Sequence, residues 1–195
     1  MKKSIENIIY KLKGAKSTDI LKNRQIIQWV YGDLSYLKEF NKIEESKWGV
    51  SMCKQYSKCY KKGSIWTGTL GELIVYSILD YMNKNPYVIV ENSKNGLSPD
   101  FQTIDKIVEV KTSSYSGQCS NIYNALAIPY KYAEIPNIYN KPLDIVCVGH
   151  VESIANSKFN LLGTHSDNGN RKLLLDFYKK LGINFVGCRE LLDKL

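Results

Sequence analysis

The sequence predicts an α/β (α+β) protein in which a mixed central β-sheet is flanked by helices. Three observations predict it. Residues 66–84, WTGTLGELIVYSILDYMNK, place apolar side chains on most faces of a helix, the pattern of a buried one. Residues 107–111, IVEVK, alternate like a strand, with Glu109 and Lys111 on one face and Val108 and Val110 on the other. Residues 143–148, LDIVCV, form an apolar run broken only by Asp144, as expected of a central strand covered on both faces.

Taken in order, the opening stretch MKKSIENIIYKLKG reads as an amphipathic helix with Glu6 inside it. Ser17 or Thr18 can cap a second helix running to Trp29 and Val30, and residues 34–40 suit a third, shorter one. Residues 51–62 interleave lysines with aromatics. On a helix, Lys54, Lys58 and Lys61 share a face that can either track a phosphate backbone or simply be solvated. Pro86 ends the long helix, residues 87–90 suit a strand, and 92–96 a turn. After the apolar run come an amphipathic helix over 170–181, a last strand at 184–186 and a short helix over 188–195. The predicted order is therefore helix, three strands, a helical or loop connection, strand, helix, strand. With 195 residues and neither repeats nor an interdomain linker, one domain is expected: a helical N-terminal region (1–65) and a core (66–195).

Composition narrows the function classes. Lys and Arg total 27 against 19 Asp and Glu, a net charge of +8 that suits an anionic partner such as nucleic acid. No run of about 18 apolar residues exists to span a membrane. The N-terminus lacks a signal-peptide core and cleavage site, so a cytoplasmic location is expected. The five cysteines (Cys53, Cys59, Cys119, Cys147, Cys188) form no C-x-x-C pair and are expected as free thiols, with Cys147 a small core residue. The two histidines, His150 and His165, sit in no recognisable nucleophile context, which argues against serine or cysteine triads.

The chemistry-bearing segment is SPDFQTIDKIVEVKTSSY, residues 98–115. A turn near Asp105 and Lys106 would fold the stretch after Asp100 back beside Glu109, bringing two carboxylates together. They repel, and a divalent cation relieves the repulsion. Mg²⁺ prefers oxygen ligands and keeps waters, one of which can act as nucleophile. Lys111 can hold that water or stabilise charge on a phosphate. Asp105 competes as a ligand by charge alone, but its position favours a turn role.

Pro99-Asp100, eight residues and then Glu109-Val110-Lys111 resemble the active-site signature of the PD-(D/E)XK nuclease superfamily, which includes many restriction endonucleases. The likeness covers roughly residues 66–149, and the stretch 131–149 is similar to segments that follow the active site in type II restriction enzymes. The resemblance implies a restriction-endonuclease-like core whose second and third strands carry the metal site. It implies Mg²⁺, with Mn²⁺ able to substitute, bound by Asp100, Glu109 and the Val110 carbonyl. It further implies in-line attack by water to leave a 5′-phosphate and a 3′-hydroxyl. In several members a glutamate from the preceding helix joins the site, and Glu72 occupies that place. Thr69-x-x-Glu72 also reads as a capping box, so Glu72 stays open between the two roles.

After the lysine, residues 112–132 are rich in Ser, Asn and Tyr, with Lys131 their only formal charge. Ser113, Ser114, Tyr115, Gln118, Asn121, Asn124 and Lys131 are the candidate DNA contacts there. The expected activity is Mg²⁺-dependent, sequence-specific cleavage of double-stranded DNA, as in type II restriction. Cutting both strands of a palindrome calls for a homodimer. Rival readings are a repair or recombination nuclease acting on structured or damaged DNA, and a non-catalytic DNA-binding protein.

Overall fold

The apolar run at 143–149 organises the fold. In the computed structural model it forms a strand buried at every position, Leu143–Gly149. The backbone is described for residues 2–16, 20–21, 63–89, 99–115, 119, 122–123, 126, 130–155 and 175–195. Within these, α1 is Lys2–Gly14 and α2 is Gly63–Tyr81. The strands β1 (Tyr87–Val88), β2 (Phe101–Gln102) and β3 (Ile107–Ser113) follow. Next come α3 (Tyr130–Ala133), α4 (Ile135–Tyr139), β4 (Leu143–Gly149), α5 (Glu152–Ala155), helical residues 175–180, β5 (Ile183–Gly187) and α6 (Cys188–Asp193). Apart from Ile20 and Leu21, which are buried, the predicted helices between 17 and 40 lie outside the described residues, as do the basic stretch at 51–62 and the turn at 92–96.

One five-stranded sheet runs β1-β2-β3-β4-β5, with every neighbour consecutive in sequence. β1, β2 and β3 pair antiparallel, and β3, β4 and β5 pair parallel. The predicted mixed sheet with helices is present, in the predicted order. The first strand is shorter than the expected 87–90.

Alternation sorts side chains to two cores. Val108, Val110, Val146 and Val148 face one side, where Ile9 and Leu12 of α1, Leu70 through Leu79 of α2, and Leu191 and Leu192 of α6 cover them. Ile107, Leu143, Ile145 and Cys147 face the other, under Tyr123, Leu126, Tyr132, Ile135, Ile154 and Tyr178. β4 is thus dry on both faces, and the three described cysteines are buried free thiols. Its one charge, Asp144, is held by the Lys106 ammonium (2.6 Å) and the Asn184 amide (3.2 Å). No described helix is long and apolar enough to cross a membrane.

α2 lies close on β3 because Gly71 has no side chain. A methyl there would overlap the Thr112 hydroxyl and stand 2.9 Å from Thr112 Cβ. The chain ends are joined by a polar clasp. The Gly187 N-cap of α6 has no side chain, and the buried Glu152 carboxylate accepts the Arg189 N–H (2.7 Å) in its place. The Arg189 guanidinium in turn donates to the carbonyls of Lys13 (2.7 Å) and Ala15 (3.3 Å), satisfying the C-terminal end of α1.

Gly71→Ala should lose about 1–3 kcal/mol in urea unfolding. Adding Thr112→Ala, which removes the overlapping atoms beyond Cβ, should restore part of that loss. Burial pushes the Glu152 carboxyl up to about 7, against the pull of the Arg189 and Cys188 N–H groups and the Arg189 charge. The folded state then holds a proton that the unfolded chain has released above about 4.5. Stability through this group is therefore lost as pH rises from about 4.5 to about 7, by on the order of 3 kcal/mol, and is level above. Glu152→Gln keeps an acceptor and abolishes the titration. Its stability relative to the parent should climb across that window and then flatten, as urea unfolding at a series of pH values would record.

Candidate functional site

The β2–β3 hairpin turns at residues 103–106, where the Thr103 N–H donates to the Lys106 carbonyl (2.8 Å). Asp105 belongs to this turn, bonded to Lys84 (3.2 Å) and the Thr103 hydroxyl (3.1 Å). It is the turn residue that the sequence favours.

β2 is only two residues long, so beyond Val108 the edge of β3 has no strand partner among the described residues. Asp100 fills that edge. Its backbone N–H donates to the Val108 carbonyl (3.0 Å), and its carboxylate accepts the Val110 N–H (2.7 Å). Strand alternation turns the Val110 carbonyl toward the same edge. The carboxylate thus stands where a neighbouring strand's carbonyl would otherwise accept, beside the one backbone oxygen expected in the site.

Glu109 and Lys111 project from β3 toward the second core and form an ion pair. Glu109 is 7% exposed. Burial pushes the Asp100 carboxyl well up, and the charges of Glu109 and Glu72 add to it, against Lys111 and the Val110 N–H. Lys111 shows the opposite balance. Burial alone would depress its ammonium, but the Glu109 carboxylate beside it, helped by Tyr132 and Asp100, holds it above the ordinary lysine value. Lys111 is therefore a fixed cation.

Glu72 is drawn into this field from α2. That helix begins at Gly63, so Thr69 lies within it and not at its N-cap position. This corrects the capping-box reading: residues 63–66 continue the helix upstream, and Glu72 sits a turn and more beyond any N-terminus. The close approach at Gly71 carries the adjacent Glu72 toward the sheet edge, where its charge acts on Asp100.

The expected DNA contacts divide. Ser113 is fully buried, its hydroxyl 3.6 Å from Cys119 Sγ, and its carbonyl accepts the His150 N–H. Its side chain is turned into the second core beside Cys119, away from any surface that DNA could reach. Ser114 is half-buried and Tyr115 exposed, both just past the end of β3. Gln118, Asn121, Asn124, Lys54, Lys58 and Lys61 lie outside the described residues. The backbone of Lys131 lies in α3.

Tyr132 belongs to the site without having been legible in the sequence. Its ring lies 5.7 Å from the Lys111 ammonium, and burial followed by the Glu109 charge raises its phenol. Nothing in Tyr130-Lys131-Tyr132 sets it apart from the other tyrosines of that stretch.

The donor set consists of hard oxygens: two carboxylates, a backbone carbonyl on the same edge, and Glu72 nearby. Among the described residues no group of three His, Cys, Asp or Glu side chains gathers closely enough to hold a metal ion. A hard divalent cation such as Mg²⁺ would have the Asp100 and Glu109 carboxylates and the Val110 carbonyl as ligands, with water completing the shell. Burial first, and then the charges of Glu109 and Glu72, raise Asp100, and a divalent cation would relieve the second part.

Comparison with protein-family models, with curated proteins and with solved structures finds no match.

Because burial, with the charges of Glu109 and Glu72, holds the Asp100 carboxyl up, its neutralisation should stabilise the metal-free protein. Asp100→Asn keeps an acceptor for the Val110 N–H. The raised carboxyl makes the parent lose stability as pH rises above about 3.9, the ordinary aspartate value, toward the raised value in the fold. Asp100→Asn should be the more stable protein at neutral pH by about 1 kcal/mol. The difference should vanish in acid, as thermal unfolding in EDTA at several pH values would show.

Proposed function

We propose that this protein is a Mg²⁺-dependent endonuclease that hydrolyses double-stranded DNA, with the sheet serving as a restriction-endonuclease-like core. The observation that carries the reading is the seating of the Asp100 carboxylate on the Val110 edge of β3, beside the Glu109–Lys111 pair. A hairpin whose charges were merely solvated would have no reason to bury Glu109 among like charges. The net charge of +8 supports an anionic substrate.

Asp100, Glu109 and the Val110 carbonyl would hold Mg²⁺, which when bound supplies an acidified water and neutralises charge at the phosphate. Lys111, held as a cation beside Glu109, would donate to a non-bridging phosphate oxygen and stabilise the charge that develops on it, or hold the attacking water. Glu72 adds an acceptor from α2 that can orient water. Hydrolysis would leave a 5′-phosphate and a 3′-hydroxyl. Recognition of a short palindrome, with Ser114, Tyr115 and the residues beyond them meeting the bases, would require a homodimer with two sites related by a two-fold axis.

The purified protein should cut unmethylated phage DNA into discrete bands with Mg²⁺, with Mn²⁺ as a substitute, and not with EDTA. Asp100→Ala, Glu109→Ala and Lys111→Ala should each lose at least ~100-fold in rate. Glu72→Gln should lose activity while remaining folded if Glu72 acts in the site. Cleavage undiminished in Asp100→Ala or Lys111→Ala would overturn the reading. A preference for nicked, branched or damaged DNA would point to a repair or recombination nuclease, and metal-independent binding without cleavage to a DNA-binding protein. Light scattering showing a monomer both free and DNA-bound would count against the dimer.

A further inference from the structure

The Lys111 ammonium has two neighbours of different kinds. One is the Glu109 carboxylate on its own strand, and the other is the Tyr132 ring across the second core. Glu109 faces two demands, because a carboxylate that ligates a divalent cation has less charge and fewer free lone pairs left for its pair with lysine. Lysine's four-carbon stem is flexible, and an ammonium released from its partner inside a closed site needs another anchor.

Tyr132 is built to be that anchor. It is 3% exposed, so its ring has no room to swing. It packs edge-on against Tyr178 (ring centres 6.4 Å apart, planes at 75°). Tyr178 is fixed in turn by donating its hydroxyl to the Leu126 carbonyl (2.6 Å). The ring face attracts the cation and the phenol oxygen can accept from it. The two together favour one lysine rotamer in a dry site.

We propose that Tyr132 is the positioning residue of Lys111, a fixed post that shares the ammonium with Glu109 in the metal-free protein and keeps it, aimed at the phosphate, once Glu109 turns its carboxylate to a divalent cation. The inference rests on the metal-dependent reading of the site given above. It assigns Tyr132 no contact with substrate. It makes the lysine shared between Glu109 and Tyr132 in the metal-free protein and carried by Tyr132 in the loaded one.

The test separates this step from cleavage. In the full chain carrying ¹³C-labelled tyrosine, the Tyr132 ring signal is identified by its absence from Tyr132→Phe. Mg²⁺ added without DNA should move that signal in the parent. The movement should fall by more than half in Lys111→Met, because the shift of the ammonium from Glu109 onto the ring is its main cause. An equal movement in Lys111→Met overturns the proposal while leaving the metal site standing. No movement in the parent removes the metal site and the proposal together. In cleavage, Tyr132→Phe keeps the ring and should lower kcat about tenfold with KM for DNA unchanged, and Tyr132→Leu should lower it about 100-fold. An unchanged kcat in both variants overturns the proposal.

Discussion

A carboxylate takes the place of a strand at the edge of β3. Because β2 begins only at Phe101, the Val110 N–H has no strand partner among the described residues, and the Asp100 side chain accepts from it at 2.7 Å. A buried N–H left without an acceptor would itself cost about 1–3 kcal/mol, so the edge must be satisfied by something. Using an aspartate for the purpose fixes a negative charge at a defined point of the sheet, within reach of Glu109 and Glu72. The rest of the site follows from that placement. Lys111 is needed to offset the acids, Gly71 lets the helix bearing Glu72 come near, and the second core closes over the Glu109 face.

The charges are arranged against their own comfort. Burial and two neighbouring acids push up a third, and among the described residues Lys111 stands against them. A fold selected for stability alone would place apolar side chains here, as it does two residues away on the same face at Ile107. Polar strain held within an otherwise well-packed sheet is the signature expected of a place where chemistry is done. It also separates the two kinds of ion pair in the protein. Lys106 with Asp144 and Lys84 with Asp105 tie structure together at the hairpin turn, whereas Lys111 with Glu109 stands where the acids outnumber the bases.

Much of the architecture was legible because it follows from periodicity. The unbroken apolar run could only be a strand dry on both faces, and the alternation around Glu109 fixed which residues share a side. The turn at Asp105 made Asp100 and Glu109 neighbours. What escaped notice depends on contacts distant in sequence. Thr69 and Glu72 have capping-box spacing, but spacing cannot reveal that packing against β3 carries the helix three residues further upstream than the apolar pattern suggested. Ser113 looked like a polar loop residue because the strand was expected to end at Lys111. Two further residues of β3 put its hydroxyl in the core instead. Tyr132 is one of 14 tyrosines, and only the parallel return of the chain to β4 brings it over Lys111.

The distances along the chain over which these contacts close also rank them by entropy. Asp100 reaches Val110 across ten residues, Lys106 reaches Asp144 across 38, and Arg189 reaches Lys13 across 176. By the logarithmic cost of loop closure, the last contact is about 2–3 kcal/mol harder to re-form from an open chain than the first. Fluctuations of the native state should therefore release the clasp between α1 and α6 well before they disturb the hairpin, and its amides should exchange with solvent deuterium sooner than those of β3. The carboxylate edge lies in the most local and most quickly restored part of the sheet, insulated from fraying at the chain ends.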